Sequence, residues 1–392
     1  MNFRIFLFSL IVLTSTLAWS KSEECESKNI KKISRPMVSN TKSKTDFFSY
    51  SFFHISADEG QPTVVFIPGG PGQTSIDNKG VEIPLNFGII YTDPSGVGCN
   101  EVEGAKLSDE FFTTENVAAD VVALISELKL NNYIIYGQSW GTTVAQIATN
   151  QIEKLALVPP KALVLEGVVG RAISNKTEAF EGFVKSWKSI KNQLEPDLVK
   201  SLTQQSGFMG LTSEEWGSSI RSRIIVGEEI TVDFLTQVSR MPDYTVQTAV
   251  RANNDSAASV DLSRKKFYDL IACRQMYNGN SELNRNIVLK AGELDFGTTS
   301  FCRGINSLKP FNSKQWQVKT KTYYFSGSSD PLTPLWQRDY HMLNQRASAK
   351  ITVTIRGAGH LPLRNNLLRV SNKIWNSINE GAENLQAIVE DF

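Results

Sequence analysis

Three residues of this chain could together do nucleophilic chemistry. Ser139 stands in Gly137-Gln138-Ser139-Trp140-Gly141, after the apolar run "NYIIY" and before the helix-compatible "TTVAQIATNQIEKL". A serine hydroxyl becomes a useful nucleophile only when a base removes its proton, and the base needs a carboxylate to hold its tautomer and orientation. Asp330 in "SSDP" and His360 in "GAGH" follow in that order, each closing a strand-like run, "TYYFSG" and "ITVTI". The chemistry is acyl transfer: the serine attacks a carbonyl, the imidazole carries the proton to the leaving group, and water releases the acyl-enzyme. Glycines at 137 and 141 suit a sharp strand-to-helix turn, where side chains two residues either side of the serine would meet backbone. The five-residue pattern alone is weak, since about one chain of this length in ten would carry it by accident. Its context decides.

The other titratable residues fit that context less well. His54 lies inside an early strand, ahead of the serine, and reads as structural; His341 falls on the helix after Asp330 and reads as partly exposed. Glu293 and Asp295 in "AGELDFG" follow no clear strand, so Asp330 is the better orienting carboxylate. An oxyanion formed at the carbonyl needs two backbone N–H donors, one from the residue after the nucleophile and one from a loop after an early strand. Trp140 supplies the first, and Gly70 in "IPGGPG" is the candidate for the second, because glycine lets backbone approach a substrate closely.

These residues need a sheet whose strands end at one edge. From about residue 45 short apolar runs alternate with helical patterns: "FFSYSFFHI", "TVVFIPGGPG" and "FGIIYTDPSGVG", then the helix "NVAADVVALISELKL", the strand "NYIIYGQSWG", a second helix and the strand "ALVLEGVVG". That alternation implies an α/β fold with a mostly parallel sheet covered on both faces. Residues 171–304 break the rhythm and read as a mainly helical cap insertion, after which residues 305–392 resume it and complete the core begun at 21–170.

Composition narrows the function classes. The 392 residues are 41% hydrophobic, and 41 basic against 40 acidic residues leave a net charge of +1, which gives no electrostatic footprint for nucleic acid or an anionic membrane. Residues 1–20 pair a short basic start at Arg4 with "IFLFSLIVLTSTLAW" and small residues at Ala18 and Ser20, the pattern of a cleaved export signal rather than a stable membrane span. Export to a periplasm or the extracellular space makes oxidised cysteines the expectation. Four cysteines allow three pairings. Chain proximity joins Cys273 with Cys302 and leaves Cys25 with Cys99. None has zinc spacing and the chain has three histidines, so no metal and no cofactor are expected.

With Gly69-Gly70-Pro71-Gly72, "GQSWGTTVAQ", "SSDPLTP" and "GAGH" in order, the chain resembles the proline iminopeptidase family of α/β-hydrolases, its secreted tripeptidyl aminopeptidase-like branch above all. The resemblance spans roughly residues 45–170 and 305–380. It implies an exopeptidase acting near the free amino terminus of a peptide, with Ser139, Asp330 and His360 as triad, the cap closing over the substrate, and acidic groups holding its ammonium. Glu166 in "LEGVVG" is the candidate for that contact, with Glu228 and Glu229 as alternatives. Two departures touch the pocket walls and put specificity in doubt: Pro68 stands where the family has histidine, and Ser95 where it has arginine. Serine carboxypeptidases share Gly-Gly-Pro-Gly but usually carry tyrosine after the nucleophile; a small-ester hydrolase would use the same triad; a non-catalytic binding protein would be expected to lack a triad member.

Overall fold

A computed structural model describes residues 25, 27–36, 47–75, 83–101, 111–204, 208–258, 262–277, 286–291, 294–300, 305 and 309–390. The proposed export signal, residues 1–20, lies outside them. The first five strands are β1 (Ile30–Pro36), β2 (Phe47–Ile55), β3 (Thr63–Ile67), β4 (Gly88–Thr92) and β5 (Tyr133–Gln138), with helix α1 (Thr114–Glu127) ahead of β5 and α2 (Gly141–Lys154) after it. Strand β6 (Ala162–Glu166) precedes the cap; β9 (Thr322–Gly327) and β10 (Lys350–Ile355) follow it. Among the described residues the sheet has eight strands in the order β1-β2-β4-β3-β5-β6-β9-β10, antiparallel at β1-β2-β4 and parallel from there to β10.

Strands β3 to β6 and β9 are buried along their whole length, as strands covered on both faces must be. Alternation divides their side chains between two cores. Val65, Ile67, Ile135 and Leu165 face one side, packed with Trp140 and residues of α1 and α2. Val64, Phe66, Tyr136 and Val164 face the other, against Trp375 and Ile378. Strand β1 begins before the point where the sequence rhythm was expected to start. Its half-buried and exposed residues alternate irregularly and it carries Lys31, Lys32 and Arg35, so it is a charged edge strand with a weak apolar signature.

Between β6 and β9 lie helices α3 (Lys176–Lys191), α4 (Pro196–Thr203), α5 (Ser213–Val226), α6 (Glu228–Val238), α7 (Asp243–Ala258) and α8 (Leu262–Ile271), and a hairpin of β7 (Asn286–Ala291) and β8 (Leu294–Ser300). The helices enclose their own core around Trp187, Trp216, Ile220 and Leu235. The hairpin is an addition to the mainly helical reading of that stretch: it packs on α3 and α5, where its short strands had no alternating run to announce them. After β9 come α9 (Leu335–Leu343), β10, and then α10 (Pro362–Asn365), α11 (Ser371–Asn379) and α12 (Leu385–Glu390). No helix of the described residues is long and apolar enough to cross a membrane.

Candidate active site

The parallel strands end at a common edge, the usual place for ligand chemistry in an α/β sheet. Strand β5 stops at Gln138, and Ser139 turns the chain into α2 with φ +52°, a left-handed conformation unusual for a residue with a side chain. The flanking glycines are required by contact. A Cβ on Gly137 would lie 2.5 Å from the Gly141 carbonyl oxygen, and one on Gly141 would lie 2.4 Å from that of Ile67. The neighbouring loop comes equally close, since a Cβ on Gly69 would stand 3.0 Å from Ser139 Cβ. Gly70 follows with φ +114°. Gly70, Ser139 and Trp140 line one cavity of about 130 Å³, together with Arg171, Tyr268, Tyr277 and other cap residues. Neither the Gly70 nor the Trp140 N–H donates to a backbone carbonyl among the described residues. The Trp140 ring is buried, its indole N–H donating to Thr114 Oγ1 at 3.2 Å.

Asp330 and His360 meet beside this turn. His360 Nδ1 lies 2.8 Å from Asp330 Oδ2. Asp330 is fixed by its own turn: Oδ1 accepts from the backbone N–H of Leu332 at 2.8 Å and of Thr333 at 2.9 Å, and Thr333 Oγ1 donates to Oδ2 at 2.5 Å. Burial alone would raise the Asp330 carboxyl, but the His360 imidazole and the Thr333 donors hold it below the usual carboxylate range. Burial works against a charged imidazole at His360, yet the Asp330 carboxylate, and more weakly Glu166, raise its pKa above the ordinary value. His360 Nε2 is buried and makes no hydrogen bond among the described residues. The imidazole edge sits over Gly167, where a Cβ would come within 2.8 Å of Cε1, and the Ser139 N–H donates to the carbonyl of the preceding residue, Glu166, at 2.8 Å. His360 and Ser139 thus share one patch of the sheet edge.

The loop carrying His360 is also held from the cap. The His360 N–H donates to Ile225 O at 2.7 Å, and the Gly359 N–H to Val226 O at 3.2 Å. A Cβ on Gly359 would stand 2.3 Å from Ile225 O, so only glycine admits the last turn of α5 this closely. Sequence reasoning missed this contact, which uses carbonyls and leaves no mark on residue type. It also missed Thr333, although Asp-Pro-Leu-Thr is a turn signal with a side chain placed to cap it.

Glu166 is a correction. It was expected to face the pocket and bind an ammonium group, but its side chain follows Val164 and lies on the opposite face of the sheet, fully buried. Its carboxylate accepts from Leu363 N at 2.6 Å, Arg364 N at 3.1 Å, Gln138 Nε2 at 2.8 Å and the Tyr136 hydroxyl. The alternatives also leave the Ser139 cavity. Glu228 accepts from Ser189 Oγ at 2.7 Å and lines a separate cavity of about 200 Å³ behind Asp330; Glu229 is exposed. Glu293 lies outside the described residues, and Asp295 is on β8.

Ser95, expected at the pocket wall, is buried and donates to Asp120, which Arg35 pairs at 2.8 Å. The guanidinium beside this carboxylate therefore comes from β1 rather than from the turn after β4. Of the remaining histidines, His54 is bonded by Lys31 at 2.7 Å across the β1–β2 edge. His341, expected to be partly exposed, is 0% exposed, and burial pushes its pKa down to about 3. A disulfide joins Cys25 to Cys99. Cys273 is also disulfide-bonded, while Cys302, its expected partner, lies outside the described residues.

A family model for the alpha/beta hydrolase fold matches residues 62–181, the stretch from β3 into α3 that contains the serine turn. With the strand order and that turn, the match settles the architecture. The chain is an α/β-hydrolase by fold. A protein named as a probable proline iminopeptidase from Leptolyngbya boryana is 30% identical over 95 residues, 24% of this chain and 29% of that protein. A proline iminopeptidase from Arabidopsis thaliana is 34% identical over 88 residues, 22% of each chain. The chain thus spans less than a third of the length of these relatives. The solved proline iminopeptidase of Mycobacterium smegmatis has 12% identity and a TM-score of 0.49, with 89% of this chain and 98% of that chain covered.

Proposed function

We propose that this protein is an exported serine hydrolase that cleaves peptides near a free amino terminus through an acyl-enzyme. The observation that carries the reading is the 2.8 Å His360–Asp330 pair, whose imidazole sits over Gly167, next to the Glu166 carbonyl that the Ser139 N–H bonds at 2.8 Å. Ser139 is the nucleophile, His360 the base and then the acid, and Asp330 the group that orients the imidazole and stabilises its charged form. The N–H groups of Gly70 and Trp140 receive the oxyanion. Apo sites often hold the serine–histidine hydrogen bond open until substrate arrives. The aminopeptidase assignment is supported by the family resemblance and by the names of the two partial relatives. The Cys25–Cys99 bond supports an oxidising compartment.

One observation favours a second reading. Among the described residues lining the Ser139 cavity there is no carboxylate, and Arg171, ion-paired to Glu178 at 2.8 Å, is the charged one. A free ammonium wants an acidic partner, whereas a small ester does not.

The experiment is hydrolysis of a chromogenic panel by the protein and its Ser139→Ala variant: free-amine mono-, di- and tripeptide amides, the same amides N-acetylated, C-terminally free peptides, and short-chain esters. Serine-dependent cleavage confined to free-amine amides is the expected result, and the preferred length separates iminopeptidase from tripeptidyl action. Serine-dependent turnover of esters alone would overturn the peptidase reading, and turnover undiminished in Ser139→Ala would overturn the nucleophile.

A further inference from the structure

We propose that Glu166 is a positioning residue for catalysis: its buried carboxylate ties the strand that ends at Ser139 to the loop that carries His360, and so sets the spacing of nucleophile and base. The inference rests on the triad reading above. Each carboxylate oxygen serves one side of the junction. Oε1 accepts from the backbone N–H groups of Leu363 and Arg364, at 2.6 and 3.1 Å, three and four residues beyond His360 in the first turn of α10. Oε2 accepts from Gln138 Nε2 at 2.8 Å and from the Tyr136 hydroxyl, both on β5 and the first of them adjacent to Ser139. Backbone of the same short segment completes the junction. The Glu166 carbonyl accepts from Ser139 N at 2.8 Å, and Gly167 leaves the room that the His360 imidazole occupies.

All four groups that reach the carboxylate act as donors, and Tyr136 Oη itself accepts a second bond from Gln138 Nε2 at 2.7 Å. That set suits an acceptor-only anion. Burial raises the Glu166 carboxyl above its ordinary value, and the four donors pull it back toward the charged form. The titratable and charged groups around it are Tyr136 on β5, Arg364 on α10, and the His360–Asp330 pair at the strand ends. A filler side chain would need neither four donors nor a bridge between these two segments. Leaving an unneutralised carboxylate here is expensive unless its geometry is used.

The test reads the rate at which a serine-directed phosphonate labels Ser139, measured from pH 5 to 9, because labelling depends on the nucleophile and base without requiring the natural substrate. Glu166→Gln keeps the shape and removes the charge. Its amide can donate to Tyr136 Oη, and Gln138 Oε1, which is buried without a partner among the described residues, can turn to accept. Glu166→Asp keeps the charge but is one methylene too short to reach both segments. The expected result is labelling slowed at least tenfold in Glu166→Asp. In Glu166→Gln it is slowed several-fold, with the rise of labelling with pH displaced to lower pH, since a negative charge near the imidazole has gone. Wild-type rates and an unmoved pH profile in both folded variants overturn the proposal. If neither variant folds, Tyr136→Phe decides, because it takes one donor from the same carboxylate and keeps its charge: labelling slowed two- to fivefold supports the bridge, and an unchanged rate overturns it. Wild-type protein that is folded yet unlabelled would sink the triad reading and this inference together, whereas labelled wild type with indifferent variants sinks this inference alone.

Discussion

The sheet and the cap both grip the loop that carries His360, and they do so in different ways. From the sheet, a single carboxylate, Glu166, reaches the backbone of Leu363 and Arg364. From the cap, the carbonyls of Ile225 and Val226 at the end of α5 take the N–H groups of His360 and Gly359. The sheet grip depends on one side-chain type at one position, while the cap grip depends on backbone arriving at the right place, and the residue that permits it is Gly359 on the His360 loop itself. The two regions also own separate cores, Ile135 and Leu165 with their neighbours in one, Trp187 and Trp216 with theirs in the other. The sheet thus holds the His360 loop through a side chain, and the cap supplies cavity wall and a second, backbone tether.

That division can be broken at either end. The largest effect belongs to the sheet edge: Ser139→Ala is expected to lower turnover by roughly 10⁴-fold or more without changing the melting temperature, and Asp330→Asn by about 10⁴-fold through the wrong imidazole tautomer. Steady-state kinetics beside thermal melts check both. Within the cap, Trp216→Ala removes a fully buried indole and should cost about 3–5 kcal/mol in the cap core. If the two cores are energetically separate, this appears as an earlier melting phase of the cap, and one shared transition would break the comparison.

Smaller substitutions sharpen it. Gly141→Ala forces a Cβ to 2.4 Å from Ile67 O and should destabilise the core by about 3 kcal/mol, with activity falling in step. Gly359→Ala forces one to 2.3 Å from Ile225 O, but relief there needs only the cap to retreat. Its expected signature is lost activity with a smaller loss of stability, read by comparing kinetics with melts for the two variants.

Two pH effects are the most modest. The Asp330 carboxylate raises the His360 pKa above 6.5, and the imidazole must be neutral to act as base, so kcat/KM should rise with pH through a limb above 6.5. Stability should move with His341, whose folded pKa is pushed down to about 3 by burial. The unfolded chain binds this proton first, so stability is full above the unfolded value near 6.5 and declines as pH falls toward 3. Melting temperatures from pH 7 to 4 for the wild type and a His341→Gln variant check the sign, with a shallower decline expected in the variant.

Much of the architecture was readable in advance because its signals are local. Continuous apolar runs such as "YIIY" and "ALVL" mark strands buried on two faces, and the glycines at 137 and 141 mark a turn with no room for side chains. The places of Ser139, Asp330 and His360 after strands β5, β9 and β10 follow from the same pattern. Glu166 shows where that reading fails. The last residue of a buried strand faces one side or the other by the parity of alternation, and in a strand apolar on both faces nothing in the residue types says which face carries the pocket. Strand β1 and the β7–β8 hairpin were missed for a related reason: a charged edge strand and two short cap strands carry too little apolar periodicity to be seen.

The amino-acid sequence by itself determined the strand-and-helix rhythm, the sharp turn at Ser139 and the order of serine, aspartate and histidine, because each rests on backbone sterics or on periodicity within a few residues. The tertiary structure alone decided that Asp330 reaches His360, that Thr333 braces them, that Glu166 turns away from the cavity, and that α5 closes on the His360 loop. Those facts depend on which distant segments share a face of the sheet, and burial and hydrogen-bond satisfaction settle that only once the whole chain has packed.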